Sequence, residues 1–179
     1  MRPATRSCAL FVGRAALLVL ALALAWPWVA PQYSRLVAGL AGAGFELRGM
    51  TVRLEVDEHG DLQAEELTLD RRGRPLRVLS RYGLRGSWEG VVLLAALFLA
   101  TPRMAWRPRL LRLAVALALL AAYHALYAVA YFSQALGHRV PVPLWYPFSE
   151  VWAPILLWAA LSFRAWFSQP PPEPSRQPA

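Results

Sequence analysis

From Leu113 to Leu136 the chain has no Arg, Lys, Asp or Glu, and Leu and Ala make up most of the stretch. About 20 apolar residues in a helix cross the roughly 30 Å hydrocarbon layer of a bilayer. This run therefore limits the possible folds more than any motif does. A soluble domain would have to wrap it on every side, and the rest of the chain is a poor wrapper. Hydrophobic residues make up 57% of the sequence, the mean hydropathy is +0.35, and charged residues reach only 17%, below the roughly 25% of a soluble domain. The surplus predicts a membrane all-α bundle of about four transmembrane helices in which lipid takes the place of a protein core.

Three other segments supply the remaining spans. Arg2, Arg6 and Arg14 precede an uncharged run from Ala15 to Ala30, which has the basic and apolar regions of a signal peptide. The run closes on Trp26-Pro27-Trp28, bulky where a signal peptidase prefers small residues, so it reads as an uncleaved anchor. With Arg14 reaching back to the headgroups, the helix begins near Ala9 and places Trp26, Trp28 and Tyr33 at the far interface. Gly90 to Thr101 is a shorter uncharged stretch between Trp88 and Trp106. The last span runs from Ser149 to Phe167, with Pro154 inside it. Pro102 to Arg109 is a basic turn with two prolines, and Pro141, Pro143 and Pro147 make residues 137–148 irregular. This divides the chain into an anchor (1–31), an extramembrane region (32–86), a three-helix membrane region (87–167) and a disordered proline-rich tail (168–179).

Residues 32–86 carry eight acidic and nine basic side chains, too many to enter a bilayer. Leu36, Val37, Leu40 and Ala41 fall at helical spacing, which predicts a short amphipathic helix over Tyr33 to Phe45, weakened by Gly39, Gly42 and Gly44. Polar and apolar residues then alternate from Thr51 to Val56. Asp57-Glu58-His59-Gly60-Asp61 is a turn, and Leu62 to Leu69 returns. A second turn at Arg71 to Pro75 leads to a third strand over Leu76 to Leu79. The expected element is a small β-hairpin or three-stranded region between the first two membrane helices. Roughly 35 residues of sheet bury little by themselves, so it should lean on the helices or on a partner.

The net charge of +8 comes from nineteen arginines and no lysine, spread among apolar segments with no basic helix or aromatic-interleaved sheet, which argues against nucleic acid as a partner. The short turn at 102–112 holds four arginines and no acid, whereas the arginines of 32–86 are interspersed with carboxylates. Short loops weigh most in the positive-inside rule, so both termini are placed in the cytoplasm, and the chain reads as a multi-pass protein of the cell inner membrane. Cys8, the single cysteine, rules out an intrachain disulfide and a thiolate cluster. It also precedes the apolar run instead of following it, unlike a lipidation cysteine.

Polar residues at membrane depth carry the functional expectations. His124 lies mid-span with Tyr127 and Tyr131 on the same helical face. Its two readings are a packing hydrogen bond and a proton-transfer group. Glu89, His138, Arg139 and Glu150 fall on one outer side, where they would bind a headgroup or a peptide, or merely set helix depth. No nucleophile elbow, zinc-protease motif, phosphate loop or dinucleotide fingerprint occurs. His59, His124 and His138 sit on three segments at different depths, which argues against a metal, and no cofactor is expected. The Gly86/Gly90 pair and the Ala114, Ala118, Ala122 series permit close helix approach without naming a partner.

The first helix ending in Trp26-Pro27 with Tyr33 beyond it, Tyr82-Gly83-Leu84 before the second span, Leu99-Ala100-Thr101-Pro102-Arg103 with Trp106 and Arg109, and Tyr146-Pro147-Phe148 with Pro154 to Trp158 together resemble the exosortase H-associated membrane proteins. The likeness covers most of the chain in hydrophobic architecture and short fragments. It implies a small companion of a membrane-embedded exosortase, the enzyme that processes proteins bearing a C-terminal sorting signal. Exosortases themselves use Cys, Arg and His on membrane helices, a pattern this chain lacks, and the resemblance supplies no functional residues. The expectation is thus a non-catalytic accessory protein whose partners are the lipid bilayer and an exosortase. The alternatives are a small membrane enzyme or transporter acting on lipid or glycan in envelope biogenesis, or a toxin-immunity or stress protein. Oligomeric state is not legible in the sequence.

Overall fold

The computed structural model describes residues 3–50, 52–57, 60–69, 75–82, 88–102, 104–135 and 151–167. Its elements in order are α1 (Pro3–Leu47), β1 (Val52–Val56), β2 (Leu62–Leu69), β3 (Pro75–Tyr82), α2 (Trp88–Ala100), α3 (Trp106–Ala135) and α4 (Ala153–Phe167). The molecule is mostly helical, with one small antiparallel sheet between the first two helices. Two helices, α1 and α3, are long and apolar enough to cross a membrane. The proline-rich tail and the segment 136–150, which contains His138, Arg139 and Glu150, lie outside the described residues.

The sequence reading ended the first helix near Pro31 and began another at Tyr33, but α1 is a single helix of 45 residues, about 68 Å long at 1.5 Å per residue. Pro27 and Pro31 lie inside it and remove two donors from its hydrogen-bond ladder. Burial is what carries the helix past them. Tyr33, Val37, Ala41 and Phe45, spaced four apart, form one buried face, so the 31/32 boundary falls inside a packed element. The most apolar stretch of α1 contains no fully buried residue; Leu17 and Leu24 are each 68% exposed. Gly49 ends the helix at a φ of 68°. Gly49 N–H donates to Glu46 O (2.9 Å) and Met50 N–H to Phe45 O (3.0 Å), the paired bonds of a Schellman cap, which favours glycine at this position.

The three strands follow the expected alternation, in the order β1-β2-β3 with both pairs antiparallel. Val56 pairs with Leu62, and Leu62 with Tyr82, so these three share the face turned to the helices, and Leu62, Ala64 and Tyr82 are buried there. Arg53, Glu55 and Arg81 point the other way and are exposed. The third strand is longer than predicted. Tyr82, which the resemblance placed at the opening of the second span, is the last residue of β3.

Helix α2 has 13 residues, about 20 Å of rise against an apolar layer of about 30 Å. Val91, Val92, Leu94, Ala96, Phe98 and Ala100 are buried, because α1 and α4 both pack on it. The described α-helix α4 begins at Ala153, so Pro154 falls in its first turn, where a missing N–H costs little. The core joins the second half of α1, the inner face of the sheet, Val91, Leu94 and Phe98 of α2, and the stretch of α3 from Ala116 to Phe132.

Candidate functional site

The sheet is tied to the two long helices at three points. First, the turn between β1 and β2 seats on α1: the hydroxyl of Ser34 donates to Gly60 O over 2.6 Å, with Gly60 buried at a φ of 87°. Asp57 shapes this turn, since Gly60 N–H donates to Asp57 O and Asp61 N–H donates to Asp57 Oδ1 (2.9 Å). Arg81 on β3 bridges Asp57 and Asp61. Second, Tyr82 inserts among Tyr127, Tyr131 and Phe132 of α3 at centroid distances of 5.6, 5.1 and 6.1 Å. Third, the hydroxyl of Tyr131 on α3 donates to Arg81 O on β3 over 3.4 Å, and beside it the Arg48 guanidinium at the end of α1 reaches Ser133 Oγ of α3 at 3.5 Å.

His124 lies beneath these ties, in the seam between α1 and α3, and is 1% exposed. Its Nδ1 is 2.6 Å from the hydroxyl of Tyr33, and the two rings meet edge to face. We assign the phenol O–H as donor. That leaves a single orphan, the Nε2–H of His124, whereas the reverse tautomer would strand both the phenol proton and the Nε2 lone pair. Trp26 and Tyr123 complete the aromatic surround at 6.0 Å from Tyr33 and His124 respectively.

The structure keeps the shared helical face of His124, Tyr127 and Tyr131 but divides its work. His124 contacts α1, and the two tyrosines hold the sheet. His124, in the middle of the apolar run of α3, is level with Tyr33, which lies beyond the apolar run of α1. Glu89 is exposed on the first turn of α2, remote in the chain from this seam. Among the described residues no three His, Cys, Asp or Glu side chains are gathered as a metal would require.

Sequence reasoning missed Tyr33, Ser34 and Tyr82 as partners, although a tyrosine and a serine just past an apolar run were its available signals. It also missed the far end of the bundle. There Arg109 donates to the carbonyls of Leu99 (3.2 Å), Thr101 (2.7 Å) and Met104 (2.8 Å), plugging the end of α2. Trp158 Nε1–H donates to Thr101 Oγ1 over 2.9 Å and joins α4 to the same turn. Fold and seam together define a class: a helical protein with two helices long and apolar enough to cross a membrane, and a small antiparallel sheet fastened to both of them. Comparison with family models, with curated proteins and with solved structures gives no match.

Proposed function

We propose that the chain is a four-span inner-membrane protein with cytoplasmic termini, and that it acts as a non-catalytic accessory subunit of an exosortase-type protein-sorting system. The supporting observation is the enclosure of His124. The residue best suited to intramembrane acid–base chemistry is spent on a neighbour's hydroxyl, within a seam that holds the sheet in place. A partner would meet the polar outer face of that sheet, where Arg53, Glu55 and Arg81 are exposed. The sorting system itself rests on the resemblance set out above.

The topology has a direct check. Reporters fused within the β1–β2 turn and at the C-terminus should lie on opposite sides of the membrane, and a common side for both would refute the arrangement.

The role of His124 is tested by substitution. His124→Gln should keep both abundance and maturation of the partner's substrates. His124→Leu and Tyr33→Phe should each cost about 0.6 kcal/mol, the mean worth of one interhelical hydrogen bond in a bilayer. An amide cannot shuttle a proton near neutral pH. Complete loss of maturation in His124→Gln at normal abundance would therefore favour an enzyme or transporter acting on lipid or glycan.

A further inference from the structure

Helices α3 and α4 do not close on each other along their length. Between them runs an open crevice of about 420 Å³ whose walls are almost wholly apolar, with Leu119, Leu120 and Tyr123 on α3 and Leu156, Leu157 and Ala160 on α4. An apolar protein cavity of roughly 150 Å³ holds one benzene ring. By proportion this space takes a chain of about sixteen carbons. Among the described lining residues only Tyr123, at one end, has a polar side-chain atom, so water finds no side-chain partner along the rest of the crevice.

A charge stands just beyond the other end of the crevice, outside the residues that line it. Arg112 lies about two helical turns below Leu119 and Leu120 and donates through Nη1 to Leu161 O, over 3.0 Å, beside the wall residue Ala160. No Asp or Glu occurs anywhere in α3 or α4, so neither wall offers a carboxylate to neutralise it. Arg107, one turn earlier, is exposed. Arg109 differs from both because its two Nη groups together are committed to three backbone carbonyls.

We propose that this crevice is a phospholipid site, with one acyl chain between α3 and α4 and the phosphate on Arg112. The proposal goes beyond the accessory role and rests only on the membrane reading, which the reporter fusions test separately. Volume and lining fit a single chain. A guanidinium held at the crevice end by one backbone bond keeps a second donor pair for phosphate oxygens.

The experiment uses the full chain purified in mild detergent and read by native mass spectrometry with added lipid. Phosphatidylglycerol should bind one per chain. Diacylglycerol of the same acyl composition should bind at least about tenfold more weakly, because it lacks the charge-assisted phosphate bond. That comparison needs no variant. Ala160→Trp fills the crevice while leaving Arg112 in place and should remove the bound phosphatidylglycerol, whereas Arg112→Gln should bring its affinity down to that of diacylglycerol. Equal binding of the two lipids to the unsubstituted chain would overturn the phosphate contact. Undiminished binding to Ala160→Trp would overturn the crevice itself, as would protection of the crevice by a partner's helix in place of lipid.

Discussion

Replacing Arg109 with alanine is expected to destabilise the protein by about 3 kcal/mol, from three hydrogen bonds to a charged donor at roughly 1 kcal/mol net each. The carbonyls it serves belong to Leu99, Thr101 and Met104, and the last carbonyls of a helix have no partner within it. Water would satisfy them on an open surface, but Thr101 and Met104 are buried, and a buried carbonyl left without a donor costs about 1–3 kcal/mol. The guanidinium also supplies positive charge at the C-terminal end of the α2 dipole. Arg109→Lys should recover only part of the loss, since an ammonium is a point donor and cannot reproduce the planar fork that reaches three carbonyls. Arg107→Ala is the control. It is exposed in the same turn and should change stability by less than about 0.5 kcal/mol. Reversible unfolding in micelles, followed by helix signal, measures all three. Equal stabilities for the Arg109→Ala and Arg107→Ala proteins would show that the plug contributes nothing.

The second large effect is expected at Gly60. Both Gly49 and Gly60 adopt positive φ, a conformation that costs a residue with a Cβ about 1–2 kcal/mol. They differ in what surrounds them. A Cβ on Gly49 meets nothing within 4 Å, whereas one on Gly60 comes to 3.3 Å from Ser34 Oγ and 3.8 Å from Ala30. Gly49→Val should therefore show the backbone penalty alone. Gly60→Val adds loss of the Ser34 hydrogen bond and displacement of the turn, for a total of about 3 kcal/mol. Asparagine tolerates the left-handed region, so Gly60→Asn should recover the backbone part and keep the steric part. Hydrogen exchange across β1 and β2 supplies the local readout: Gly60→Val should speed it, while Gly49→Val should leave it unchanged. Equal exchange in the two valine proteins would mean that the turn does not dock on α1.

The strands were legible because alternation and turn chemistry are local. Thr51 to Val56 and Leu62 to Leu69 carry period-two patterns, and the Asp57-to-Asp61 turn lies where glycine and aspartate put it. The α2–α3 turn was equally legible from its prolines and arginines. The continuation of α1 was not, because Pro31 and the glycines beyond it argue locally for a stop. The benefit of continuing comes from Val37, Ala41 and Phe45, which gain burial only once α2, α3 and the sheet, all formed later in the chain, are present. His124 was singled out correctly as the polar residue of the longest apolar run, but its partner Tyr33 stands 91 positions away, beyond the reach of any periodicity.

By itself the sequence determined the kind of elements, the apolar runs carried by α1 and α3, and the small sheet between them, because each follows from spacing and hydropathy within a dozen or two residues. Only the tertiary structure decided what holds these parts together. It set a tyrosine on His124 and a serine on the tip of the first hairpin. It turned Arg109 inward onto the backbone while Arg107 stayed outside, and it left a gap between α3 and α4. Identical residue types received different tasks because a side chain's partners depend on which distant surfaces are brought against it.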